Sequence, residues 1–188
     1  MIVAITGGIG CGKSVVSQVL RLLGYPVYDS DSRAKHLMHH SPTVRHQLEE
    51  RFGTDIFSEG RLQTHRLSAL VFSDASALHD LNAIVHPAVR ADMLQWAKEY
   101  DGITFVETAI PYASGVHTIV QHLWKVTAPT AIRVERVMRR SAISREEVLR
   151  RIAAQATEEQ IRNGDVELVN DGKVALIPQI IDRLQLLK

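Results

Sequence analysis

Ile2–Thr6 (IVAIT) is an apolar, mostly β-branched run. Such a run predicts a short strand buried on both faces of a parallel sheet. The period then changes. Val15, Val16, Val19, Leu20 and Leu23 recur at helical spacing after Lys13, and Gly24 follows as a C′ residue. Pro26–Asp31 (PVYDSD) reads as a second short strand that ends in acidic residues. Further strands are predicted at Ile103–Thr108 (ITFVET), Leu123–Ala128 (LWKVTA) and Val166–Asp171 (VELVND). AIRVERVMRR and SREEVLRRIAAQA read as helices, the second opened by a capping box with Ser144 at the N-cap and Glu147 three residues on. KVALIPQIIDRLQLL reads as a closing helix kinked at Pro178. Strands alternating with helices imply an α/β fold with a parallel sheet and right-handed crossovers.

From Ser32 to about Tyr100 no strand-like run appears, and successive helical patterns fill the segment. Pro42 and Pro87 stand where helices are expected to start, a position that suits the fixed φ of proline. This segment reads as a helical insertion between two strands of the sheet.

Composition adds limits. The chain has 188 residues, 45% hydrophobic and 23% charged, as in ordinary globular proteins. Cys11 is the single cysteine, so no intramolecular disulfide can form. A formal charge of +1 gives no global attraction to nucleic acid. The N-terminus lacks the pattern of a signal peptide, and no apolar stretch approaches the roughly 20 residues that span a bilayer. The expectation is a cytoplasmic protein without nucleic-acid or membrane partners, a monomer or weak homo-oligomer.

The chemistry starts directly after the first strand. In Thr6–Ser14 (TGGIGCGKS), Gly7 is followed after four residues by Gly12-Lys13-Ser14. That is the P-loop pattern in its strand–loop–helix setting. Glycines let phosphate oxygens approach the backbone N–H groups, and the following helix adds its positive end. The expected ATP-binding set is Gly8, Ile9, Gly10, Cys11, Gly12, Lys13, Ser14 and Val15. Lys13 would neutralise the β- and γ-phosphates and the Ser14 hydroxyl would ligate Mg²⁺. Cys11 either fills a free position with a small side chain or is a redox-sensitive thiol near a helix N-terminus.

Asp29 and Asp31 flank Ser30 at the end of the second predicted strand. In an extended segment both carboxylates point to one side, where one can take the proton of an attacking hydroxyl and the other help hold Mg²⁺. The alternative is an Asx turn and a helix cap, with Asp31 or Ser32 as the capping residue. Between Ile132 and Gln155 lie seven arginines against three carboxylates. A helical flap with arginines suits a γ-phosphoryl group and excludes water. Arg140 is the first candidate and Arg151 the second. The competing reading is a solvated face with pairs such as Glu135–Arg139 and Glu146–Arg150.

TGGIGCGKS, YDSDSRAKHL, HPAVR (His86–Arg90), RVMRRSAISREEVLRRIAAQ and VELVNDG occur in one order over nearly the whole chain. In this the sequence resembles the dephospho-coenzyme A kinases. The resemblance implies a three-layer P-loop fold, with residues 1–31 and 101–188 as the nucleotide-binding core. A helical lid at about 136–157 and an acceptor-binding insertion at 32–100 complete it. It implies ATP-dependent phosphorylation of the ribose 3′-hydroxyl of dephospho-coenzyme A. Asp31 matches the family's acid/base residue, Lys13 its phosphate-binding lysine and Arg140 its lid arginine. Asp31, His86 and Arg90 fall on acceptor-binding positions, and Asn170 and Gly172 near the adenine. Two departures stand out. Ser30 replaces the alanine of Asp-Ala-Asp, and Ala113 stands where an acid is expected, leaving Glu107 as a weak substitute near Mg²⁺. Other P-loop small-molecule kinases share the cradle and lid. A nucleotide-switch ATPase is disfavoured, because no Asp-x-x-Gly follows ITFVE.

Overall fold

The computed structural model describes residues 1–160 and 165–187. In chain order its elements are β1 (Ile2–Thr6), α1 (Lys13–Leu22), β2 (Val27–Asp29), α2 (Ser30–His40), α3 (Pro42–Phe52), β3 (Phe57–Ser58), β4 (Arg61–Leu62) and α4 (Thr64–Ser73). Then follow α5 (Ala75–Ala97), β5 (Thr104–Glu107), β6 (His122–Thr127), α6 (Thr130–Ser141), α7 (Arg145–Ala154), β7 (Val166–Val169) and α8 (Leu176–Gln185). Two compact units result, Met1–Tyr28 with Tyr100–Lys188, and Asp29–Glu99.

In the first unit the strands run β2-β5-β1-β6-β7. β1 lies at the centre, parallel to β5 with Val3 opposite Phe105, and to β6 with Ala4 opposite Leu123. β6 is parallel to β7, with Val126 opposite Leu168. Its central place explains the apolar run of β1: Val3, Ala4 and Ile5 are fully buried, as is Thr6 at the strand's end. Val16 and Leu20 of α1 and Ile180 and Leu184 of α8 join Val3, Ile5, Phe105, Trp124, Val126 and Leu168 in one core. The Phe105 and Trp124 rings lie 5.2 Å apart, and Tyr25 meets Phe105 edge-on at 5.5 Å. Pro178 sits in the first turn of α8, where a missing N–H costs no helical bond, so it does not kink the helix as expected.

The second unit packs its helices around Val44, Leu48, Ile56, Phe57, Leu62 and Leu67. Arg33 of α2 grips Asp92 of α5 with two hydrogen bonds, Nε to Oδ2 at 2.9 Å and Nη2 to Oδ1 at 2.6 Å. Two expectations fail here. β3 and β4 form a short antiparallel hairpin inside the segment read as wholly helical. Its two-residue turn, Glu59-Gly60, has positive φ at both positions (50° and 76°), as a type I′ turn requires. Pro87 does not begin a helix but lies inside the 23-residue α5. An interior proline costs about 3 kcal/mol. Val85, Val89 and Met93 are buried on the same helix, and each such side chain contributes roughly 1.5–3 kcal/mol. Burial therefore outweighs the break.

Candidate active site

The loop between β1 and α1 is shaped for close approach to its backbone. Gly12 precedes α1 at φ 100°, in the left-handed region, and caps the helix without a side chain. The first turn of α1 turns its N–H ends toward the loop, the Val15 and Val16 amides donating to Gly12 O at 3.0 and 3.3 Å. Lys13 bends back over the loop, its Nζ donating to Gly7 O at 2.7 Å. Ser14 and Val15 are exposed on the first turn. A cavity of about 210 Å³ adjoins the loop, lined among others by Gly7, Gly8, Lys125, Arg133 and Glu159.

Asn170, at the end of β7, braces this loop from outside. Its Nδ2 donates to Cys11 O at 2.8 Å, and its Oδ1 accepts from Arg136 Nη2 at 3.3 Å. Gly172 follows at φ 78° in a turn closed by Asp171, whose Oδ1 accepts from the Lys173 and Val174 amides at 2.8 and 3.0 Å. Those bonds, the one from Val174 first, hold the Asp171 carboxyl below its usual range.

Cys11 packs into the sheet core, and burial pushes its thiol up, with the nearby Arg133 charge opposing only in part. Of the two readings of Cys11, the geometry favours the small core side chain. Iodoacetamide at pH 8 is expected to modify native Cys11 at least about tenfold more slowly than free cysteine, since only the thiolate reacts. Equal rates in a mass-spectrometric time course would contradict this.

α6 and α7 pack through Val134, Val137 and Val148, with Ile9 of the loop and Ile143 and Ile152 against them. Ser144 caps α7, accepting from Glu147 N at 3.2 Å. Glu147 does not complete the capping box with its carboxylate, which instead receives Arg150 and, at 2.8 Å, Arg151. The Arg151 bond holds the Glu147 carboxyl below its usual range. Arg150 thus pairs with Glu147, not with Glu146, while Arg139 pairs with Glu135 as its spacing implies. Arg140 is exposed and lines a cavity of about 350 Å³ with Ile132, Glu135, Arg136 and Arg139.

In the second unit the acidic pair takes the second geometry expected for it, an Asx turn and helix cap, but the capping residue is Asp29 and not Asp31 or Ser32. β2 ends at Asp29 and α2 starts at Ser30, so the two carboxylates do not share one side of a strand. Asp29 is the N-cap. Its Oδ1 accepts from the Asp31 and Ser32 amides, both at 3.1 Å, and its Oδ2 from Ser32 Oγ at 2.8 Å. Asp31 lies exposed in the first turn of α2, where the helix end favours negative charge. His86 and Arg90 are one turn apart on α5 and so share a face. Because Pro87 is interior, His86 is not at the helix start that Pro87 suggested.

Residues that the motif reading left without a role form the surroundings of the loop. Arg133, read as one of a surface set, is buried and bonded to Glu159 and to Ile9 O. Glu158 is buried and accepts from the Tyr112 and Ala113 amides, both at 2.9 Å, so the position lacking an acid is held by an acid from elsewhere in the chain. Lys125 is fully buried beside Asp165 at 3.3 Å, with its ammonium 5.3 Å from the Tyr112 ring centre. A charged residue between the apolar Trp124 and Val126 was the available sign for Lys125. Glu158 and Glu159 carried none. Glu107 ends β5 half-buried. Among the described residues no group of three or more His, Cys, Asp or Glu is placed to hold a metal, and no helix is long and apolar enough to cross a membrane.

A family model described as dephospho-CoA kinase matches residues 1–175. A dephospho-CoA kinase of Porphyromonas gingivalis is 41% identical over 182 residues, covering 95% of this chain and 90% of the relative. A crystal structure of a Thermus thermophilus protein superposes with a TM-score of 0.80 at 33% identity, covering 99% of this chain and 95% of that one. The dephospho-CoA kinase of Campylobacter jejuni has the same fold, with a TM-score of 0.71 at 21% identity over 98% of this chain and 95% of its own.

Proposed function

The chain belongs to the dephospho-CoA kinase family, and from that premise we propose that it transfers the γ-phosphoryl group of ATP to the ribose 3′-hydroxyl of dephospho-coenzyme A, giving coenzyme A and ADP. The observation that carries this reading is the loop at residues 7–14, with its left-handed glycine at the helix start and Lys13 folded across it. Loop amides and the α1 end hold the phosphates, and Lys13 follows the charge that develops on the transferred group. The donor set at the helix start, one exposed serine hydroxyl, suits Mg²⁺, which keeps most of its waters and would take its other ligands from ATP phosphates. When bound, Mg²⁺ would be held by Ser14 and would neutralise phosphate charge. Asp31 accepts the proton of the attacking hydroxyl, a role its exposed carboxylate supports and the capped Asp29 does not. Arg140 and the lid helices cover the transferred group. The Asp29–Glu99 unit serves as the acceptor-binding part, with His86 and Arg90 on one face of α5 facing the anionic acceptor.

ADP formation measured with and without dephospho-coenzyme A tests the activity. Acceptor-dependent ADP release is expected, and equal release without it, or with any alcohol, would contradict the proposal. His86→Ala and Arg90→Ala are each expected to raise KM for dephospho-coenzyme A about tenfold while leaving KM for ATP within about twofold. Equal damage to both constants would remove these residues from the acceptor site.

A further inference from the structure

Ile9, at the tip of the loop, is held on three sides. Its N–H donates to Gln155 Oε1 at 2.8 Å, its carbonyl accepts from Arg133 Nε at 2.9 Å, and its side chain packs against Val134, Val137 and Val148. The Arg133 guanidinium also makes a bidentate pair with Glu159, at 2.6 and 2.7 Å. Arg133 is nearly buried and Glu159 only slightly exposed. A Cβ on Gly8 would overlap both the Glu159 carboxylate and the Arg133 guanidinium. The ion pair thus lies directly against the Gly8 backbone, and a side chain there would have to displace it.

The geometry points to Arg133 and Glu159 as positioning residues that fix the tip of the nucleotide loop to the lid helices, with Gln155 as the third member of the brace. Arg133 belongs to α6, whereas Gln155 is the C-cap of α7 and Glu159 lies just beyond it. A guanidinium has enough donors to serve a carbonyl through Nε and a carboxylate through both terminal nitrogens at once. The Ile9 amide is taken by Gln155, so the protein uses it for loop placement. The brace therefore sets where the remaining loop amides lie relative to Lys13 and the lid. Misplacement of such groups by about 1 Å can cost on the order of a hundredfold in rate.

The inference rests on residues 7–14 holding ATP. Glu159→Ala is expected to raise KM for ATP about tenfold and lower kcat about tenfold, with KM for dephospho-coenzyme A within about twofold. Arg133→Lys is expected to do the same, because a single ammonium nitrogen lacks the planar fork whose three nitrogens reach Ile9 O and both Glu159 oxygens. Arg133→Ala with Glu159→Ala should cost no more than the worse single change, as for residues that act as one unit. If Glu159→Ala fails to fold, Glu159→Gln keeps the size and a hydrogen-bond acceptor, and a rise of about threefold in KM for ATP is expected. Wild-type constants, equal rises in both KM values, or multiplying effects in the double variant would overturn the brace. A damaging Lys13→Ala beside a silent Glu159→Ala would refute the brace alone. A silent Lys13→Ala would instead refute the nucleotide loop.

Discussion

Asp31→Asn is expected to lower kcat by about 10²–10⁴-fold, the range of a general base, with ATP affinity nearly intact. The substitution keeps the volume and one oxygen and removes the capacity to take a proton at neutral pH. Asp31 makes its backbone bond to Asp29 through its N–H, so the change leaves the start of α2 in place. Asp29→Asn is the control. Asparagine caps a helix about as well as aspartate, so near-normal turnover is expected there. Steady-state kinetics with calorimetric titration of ATP on both variants separates the roles. If Asp29→Asn abolishes turnover and Asp31→Asn does not, the assignment is reversed.

Lys13→Ala is expected to lose about a hundredfold or more in kcat, as removal of one transition-state donor does elsewhere. Lys13 already crosses the loop, 2.7 Å from Gly7 O. It opens α1 and is only half-buried, so a loss of rate would not reflect a damaged core. Thermal unfolding checked beside turnover should show a small shift at most. A near-normal rate in a folded Lys13→Ala protein would refute the loop assignment.

Where burial dictates residue type over a whole element, the pattern was readable. β1 is apolar from Ile2 to Ile5 because it is the central strand, and α1 shows its core face at helical spacing. The glycine loop was readable because backbone geometry demands particular residues there. The errors arose where local preference was overridden. Pro87 suggested a helix start, yet the buried side chains of α5 carry the helix through it. Asp29 through Asp31 read as a strand end or as a helix cap, and the cap is formed, by Asp29 and not by Asp31 or Ser32. The turn at Glu59-Gly60 is short enough for its hairpin to pass for helical sequence. Contacts between residues far apart in the chain left the weakest trace. Arg133 and Glu159 are 26 positions apart, and Glu158 reaches Tyr112 across 46. Neither spacing belongs to a helix or a strand, so only the folded backbone brings them together.

The most direct measurement is a single turnover with γ-³²P-labelled ATP, Mg²⁺ and dephospho-coenzyme A, followed by treatment of the product with a 3′-nucleotidase. Label recovered in coenzyme A and released by that enzyme is the predicted result, lost in Lys13→Ala and Asp31→Asn. Label found in inorganic phosphate, or at any position the nucleotidase leaves untouched, would contradict transfer to the ribose 3′-hydroxyl.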